Sequence, residues 1–382
     1  MWRRALIASA VMGLFLRTAR ADVVLSMNDN HTVLDAQANQ VAPNPVPPDT
    51  VDVIDVSSFP PRIVSTFEAP GSVVGPPLAV WVAPDESWAI STAATKADPQ
   101  GKFGISPDDR VSVVDLKANP PRIIQTTHAG AGATVVRVSP DGSLALVCNR
   151  TEGTVSIFTV KDHHLEPAGK LDLGKGSGPS SVVFLPDGKT ALLTRNFDNQ
   201  VSVLHIDGTK LTVDPRPITT GVAPYTMDIN AAGTLAAVSN MGRGDGDLDT
   251  VSLIDLTQKP MRTVETVGVP SGPEPLKFSP DGRFLAVGSQ EGSTKVKTSP
   301  IFHDHGNLQV FIVQGSHLER VASAPVGGWA EGVVWSRDGK TVMVQNDLER
   351  TISVFRFDGE TLTPGPTLHP SGGPVSFGEA WP

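Results

Sequence analysis

Short stretches of alternating apolar and polar residues return seven times along the chain. They read TVDVIDV at 50–56, RVSVVDL at 110–116, TVSIFTV at 154–160, QVSVLHI at 200–206, TVSLIDL at 250–256, NLQVFIV at 307–313 and TISVFRF at 351–357. A period of two predicts strands, and no stretch between the copies carries the 3.6-residue period of an amphipathic helix. The spacing, about 40–60 residues per copy, is that of a repeat architecture built from one sheet per unit.

Two further strands precede each copy. The first runs into a Pro-Asp-Gly turn at 140–142, 186–188 and 280–282, with weaker versions at 82–86, 229–233 and 335–339. Proline presets φ, Asp bonds back to the backbone, and Gly takes the left-handed position. The second strand follows at once, as in ALLT at 191–194 or LAAV at 235–238, and a weaker fourth follows the repeated one, as in RTVETV at 262–267. The predicted fold is an all-β, seven-bladed β-propeller of four-stranded antiparallel blades, one domain over 22–382. At the chain start, VVLS at 23–26 looks like a second strand lacking a first, whereas GPVSFG at 373–378 looks like a first strand lacking a second. The C-terminal strand is therefore expected to complete the N-terminal blade and close the ring without an open edge.

The Pro-Asp-Gly turn, the Asn ending the second strand and the Thr-Val-Ser-Val-x-Asp third strand together resemble the YVTN-type β-propeller repeats. More loosely, the chain is similar to the seven-bladed lactonase-like (6-phosphogluconolactonase-like) propellers. The likeness covers nearly all of 22–382. It implies the same fold, and for lactonase-like members it implies acidic, His and Arg residues working around the channel mouth. Propellers of this kind host many unrelated roles.

Composition narrows the setting. Arg3 and Arg4, an apolar run from Ala5 to Leu16 and Ala19-Arg20-Ala21 form an expected export signal over 1–21. That run is too short for a stable membrane anchor, and no later run is longer, so no membrane span is expected. The expected location is periplasmic or secreted. Cleavage removes four arginines and moves the formal charge from −9 to −13. An acidic chain lacks the basic face that nucleic acid requires. The single Cys148 cannot pair within the chain and reads as a small buried residue. No Cys-x-x-Cys-His occurs, so no c-type haem is expected.

In antiparallel blades the second-to-third loops and the joins between blades share one face. Nearly all length variation falls there, in 27–49, 93–109, 240–249 and 289–306. Long loops on a rigid scaffold usually carry binding. Asn28, Asn149, Asn196, Asn240 and Asn346 end second strands on this face, and the repetition points to backbone bonding. Arg150, Arg195 and Arg243 lie at or beside three of them and suit a carboxylate or phosphate ligand. Glu274, Glu331, Tyr225 and Trp329 lie at or just before innermost strands and are expected at the channel mouth. A carboxylate there can act as general base, and an aromatic can floor a small-ligand pocket. His303-Asp304-His305, with His31 in a neighbouring sector, forms a candidate zinc or copper site. Asp245, Asp247 and Asp249 alternate beside glycines as a candidate calcium loop.

Three functions fit this pattern. The leading expectation is a scaffold presenting the variable face to a small molecule, a divalent metal or a protein partner. The alternative, drawn from the resemblance, is a lactone hydrolase or cycloisomerase at the channel mouth. Glu331 or Glu274 would be its base, Arg195 would hold the acid, Arg150, Asn196, Tyr225 and Trp329 would line the ligand site, and His303 or His305 would assist. The third is a periplasmic metal or redox accessory protein built on the His loop.

Overall fold

The computed structural model describes residues 22–381. The expected signal over 1–21 lies outside them. Seven four-stranded antiparallel blades form the ring. Blade 3 is representative: Ala133–Val138, Leu144–Asn149, Thr154–Lys161 and His164–Asp172 pair in chain order. The innermost strands of blades 2 and 4 to 7 are Val80–Val82, Pro179–Phe184, Pro224–Ile229, Pro273–Phe278 and Ala330–Trp335. Blade 1 takes its innermost strand from the chain end: Gly373–Glu379 pairs with Val23–Asp29, which pairs with Thr50–Asp55.

The inner strands of each sheet are buried on both faces, so successive side chains serve different neighbours. In blade 3, Ala145 and Val147 pack toward blade 2 with Ile90 and Val113. Leu144, Leu146 and Cys148 pack toward blade 4 with Leu193 and Leu204. Seven such apolar clusters, one per interface between blades, replace a single central core. Cys148 is fully buried, and burial pushes its thiol far above the ordinary range. The thiolate, the reactive form, is thus suppressed.

The repeated polar motifs hold strand ends together. Asp141 Oδ1 accepts from Ser139 Oγ (2.6 Å) and Ser143 N (3.0 Å), while Gly142 takes φ +74°. Blades 6 and 7 repeat the turn with Ser279/Asp281 and Ser336/Asp338. On the opposite face, Asn149 Nδ2 donates to Thr154 Oγ1 and Ser156 Oγ, each at 2.9 Å, and its Oδ1 accepts from Gly130 N at 3.0 Å. Asn346 does the same with Thr351, Ser353 and Gly327. This explains the Thr-x-Ser spacing of the third strand. It also explains the glycine in the join: a Cβ on Gly130 would fall 2.7 Å from Asn149 Nδ2.

Asn196 breaks the series. In blade 4 it is Arg195 that pairs with Gln200, in the register where Asn149 pairs with Thr154. Asn196 lies one residue later, in a short 3-10 turn, so its amide is released from the latch. Innermost strands carry a bulge at one shared level, in blade 3 at Ala133/Val135, in blade 4 at Pro179/Ser181 and, more widely, in blades 5, 6 and 7 at Pro224/Met227, Pro273/Leu276 and Ala330/Val333. Bulges re-aim side chains, and Tyr225, Glu274 and Glu331 all occupy these bulges. No helix among the described residues is long and apolar enough to cross a membrane.

Candidate functional site at the channel mouth

On the face of the long loops, a cavity of about 400 Å³ opens beside the channel across blades 3 to 6. Its lining includes Arg150, Asn196, Tyr225, Arg243, Gln290 and Lys295. The Arg150 guanidinium donates to Asn196 Oδ1 at 3.0 Å and lies 4.7 Å from the Phe197 ring centroid and 5.6 Å from that of Tyr225. Stacking and hydrogen bonding fix the plane of the fork and leave a cation facing the cavity. Arg243 and Lys295, from the loops of blades 5 and 6, add two more positive side chains. The concentration of cations in an otherwise acidic protein favours an anionic ligand.

Glu274 stands behind the wall of this cavity. Its carboxylate is buried and accepts from the Gln290 amide and the Tyr225 phenol, both of which face the cavity side. Burial pushes its pKa up to about 7, against the opposing effects of Gln290, the Arg150 charge, Tyr225 and Trp329. Burial, followed by the Glu274 charge, pushes the Tyr225 phenol well above its ordinary range, so it remains a donor. A carboxyl near neutrality beside a cation and a phenol suits general acid–base work.

Glu331 is wholly buried, and among the described residues neither carboxylate oxygen has a partner in good hydrogen-bonding geometry, the Trp329 side chain giving only weak support. Burial raises its pKa well above the usual carboxylate range, and the charges of Glu274, Asp347 and Asp29 push the same way. Asp347 is raised by burial and then by Asp29, with Arg350 opposing. Acids from blades 6 and 7, Glu274, Glu331 and Asp347, are thus all raised around the axis, with the Asp29 charge of blade 1 adding to the effect on Glu331 and Asp347. Trp329, at φ +52°, is buried among Met27, Val51 and Val375 and donates its backbone N–H to Ser293 Oγ at 2.8 Å.

The remaining candidates are dispersed. Arg195 pairs with Asp198 and donates to Leu173 O at 3.1 Å, and it is absent from the cavity lining. His303 and His305 are about half exposed. They face Glu291 at 3.8 Å and Asp304 at 2.8 Å, and their ring centroids are 6.1 Å apart. Neither joins a convergent group of three metal-type donors among the described residues; that arrangement occurs at Asp29, His31 and Asp49. There His31 Nδ1 lies 3.0 Å from each carboxylate, and Nε2 lies 3.0 Å from Thr95 Oγ1. Burial opposes protonation of His31, but hydrogen bonds and charge from Asp29 and Asp49 outweigh it and raise the pKa to about 10. To ligate a metal this imidazole would first have to release that proton. Asp249 turns inward and accepts from Gly272 N at 2.8 Å, while Asp245 and Asp247 stay exposed. Gln290 and Lys295 belong to the site with no repeated motif to mark them; only the length of their loop hints at it.

No curated protein matches the chain. A putative 6-phosphogluconolactonase from Bacteroides fragilis is 15% identical, with a TM-score of 0.71, covering 94% of this chain and 98% of its own. The periplasmic gluconolactonase PpgL of Pseudomonas aeruginosa is 18% identical, with a TM-score of 0.68, covering 93% and 98%. A functionally unknown protein from Desulfotomaculum acetoxidans is 12% identical, with a TM-score of 0.70, covering 94% and 99%. At these identities the similarity establishes the fold. The family model described as "Lactonase, 7-bladed beta-propeller" matches residues 104–377, and the chain belongs to that lactonase family.

Proposed function

We propose that the protein hydrolyses the lactone of an acid-bearing small molecule in the cavity at the channel mouth. The observation that carries this reading is the junction of Arg150, Tyr225 and Gln290 with a buried Glu274 titrating near neutrality. Family membership favours this alternative over the scaffold, which needs none of that chemistry. In the proposed step a water in the cavity attacks the lactone carbonyl and passes its proton to the Tyr225 hydroxyl as that hydroxyl passes its own to the Glu274 carboxylate behind it. Arg150 stabilises the oxyanion, and Arg243 and Lys295 hold the substrate's anionic group. The acyl–oxygen bond of the ring breaks, the departing ring oxygen takes a proton back from Glu274 through the Tyr225 hydroxyl, and an open hydroxy acid leaves. Export to the periplasm, as for the Pseudomonas gluconolactonase, belongs to the same proposal.

The test is acid release from glucono-δ-lactone and its 6-phosphate, corrected for spontaneous opening. The phosphorylated lactone should turn over with the lower KM. Glu274→Gln should lower kcat about 10²–10⁴-fold, the usual contribution of a general base. Failure to open either lactone above background would return the scaffold to first place.

A further inference from the structure

The opposite end of the channel holds a second cavity that the lactone reading leaves unused. It encloses about 510 Å³ on the Pro-Asp-Gly side, with walls from six of the seven blades. Tyr225 lines the upper cavity and Thr226, its neighbour in the same bulge, lines this one, so one bulge serves two sites. The Thr226 hydroxyl has no hydrogen-bond partner among the described residues.

The walls are apolar, with Trp81, Leu78 and Trp381 among them, but Arg137, Lys277 and Glu379 also face inward. Lys277 Nζ is already satisfied: it lies 2.9 Å from Glu379 Oε1 and 3.4 Å from Asp228 Oδ1. Arg137 is different. Its Nη1 donates to Val136 O at 2.8 Å and Leu78 O at 3.3 Å, and the rest of the fork has no acceptor among the described residues. A guanidinium anchored at one nitrogen, with donors left over in an apolar cavity, is a ready receiver for one carboxylate. Two cations and two carboxylates balance here before any ligand arrives. Each added negative charge is then uncompensated, so a monoanion costs less here than a dianionic phosphate.

From this we infer that the lower cavity is a second binding site, for a small monocarboxylate with a flat apolar body, its carboxylate on Arg137 and its body against Trp81. It does not depend on lactone turnover at the other mouth.

The test uses 4-fluorobenzoate as probe, followed by fluorine NMR on the full chain, with 4-fluorobenzyl alcohol as its neutral counterpart. The acid should bind saturably and at least tenfold more tightly than the alcohol, since a charge-assisted pair is lost. Arg137→Gln should weaken it about tenfold or more. Trp81→Leu, at a partly exposed wall position, should also weaken it and covers the case in which Arg137→Gln does not fold. Arg150→Gln, at the upper cavity, should leave it unchanged. Equal binding of acid and alcohol would overturn the inference. So would loss of binding in Arg150→Gln with Arg137→Gln and Trp81→Leu unaffected, or the absence of saturable binding.

Discussion

At the scale of single residues, the upper face is governed by how buried charge is compensated. His31 is the clearest case because its two carboxylate partners outweigh the cost of burial. Its pKa in the folded chain, about 10, lies above the ordinary 6.5. The folded state therefore holds a proton that the unfolded state releases between these values, and stability falls as pH rises through that window. The contribution is complete below about pH 6.5 and gone above about pH 10. His31→Gln should accordingly lower the melting temperature markedly at pH 6 and far less at pH 10.5. An equal loss at both values would show that the imidazole is not the proton carrier. Glu331 presents the opposite arrangement, a carboxyl whose burial and acidic neighbours favour its protonated form.

At the scale of strands and turns, the repeat is a set of hydrogen bonds as much as an apolar pattern. The Asn149 latch binds a second strand, a third strand and a blade join through one amide. Asn149→Ala removes three bonds and leaves the Gly130 N–H buried without its acceptor. The expected loss is about 2 kcal/mol in denaturant unfolding. A loss within experimental error would mean that the latch is replaced by water. Strand order, turn chemistry and ring closure were all legible in the sequence, because each repeats and repetition exposes its cause. The site was legible only in part. Tyr225, Glu274 and Glu331 could be placed on innermost strands because the strand starts were recognisable. Arg195 and Asn196 were harder to place, because blade 4 shifts its Asn by one residue and turns Arg195 toward Asp198. Gln290 and Lys295 sit in one of the long insertions, whose sequence does not repeat from blade to blade, so periodicity says nothing there. The histidines at 303 and 305 drew attention by composition, whereas His31 is bound up with Asp29 and Asp49 through folding contacts that spacing does not reveal.

At the scale of the whole molecule, the ring is closed by pairing the two chain ends, and the channel gives it two mouths. Gly373–Glu379 supplies the innermost strand of blade 1, Phe377 packs into the blade 7–blade 1 cluster, and Trp381 Nε1 donates to Trp335 O at 3.0 Å. Arg337 of blade 7 bonds both Asp22 Oδ1 at 2.6 Å and Glu86 Oε1 of blade 2 at 2.9 Å across the same seam. Deleting 373–382 leaves Val23–Asp29 as an unpaired edge lining the channel. It should lower the melting temperature by tens of degrees or yield an aggregating product, and unchanged thermal unfolding would refute the clasp. The ring also fixes the upper cavity, since Arg150, Tyr225 and Glu274 come from blades 3, 5 and 6 and meet only when the circle closes. The most direct measurement of this arrangement is the pH dependence of kcat/KM for lactone opening in the intact protein and in Glu274→Gln. The rate should climb through about pH 7, where Glu274 loses its proton, and the inflection should vanish in the variant. A profile flat from pH 5 to 8, or one whose inflection survives in Glu274→Gln, would contradict Glu274 as the base.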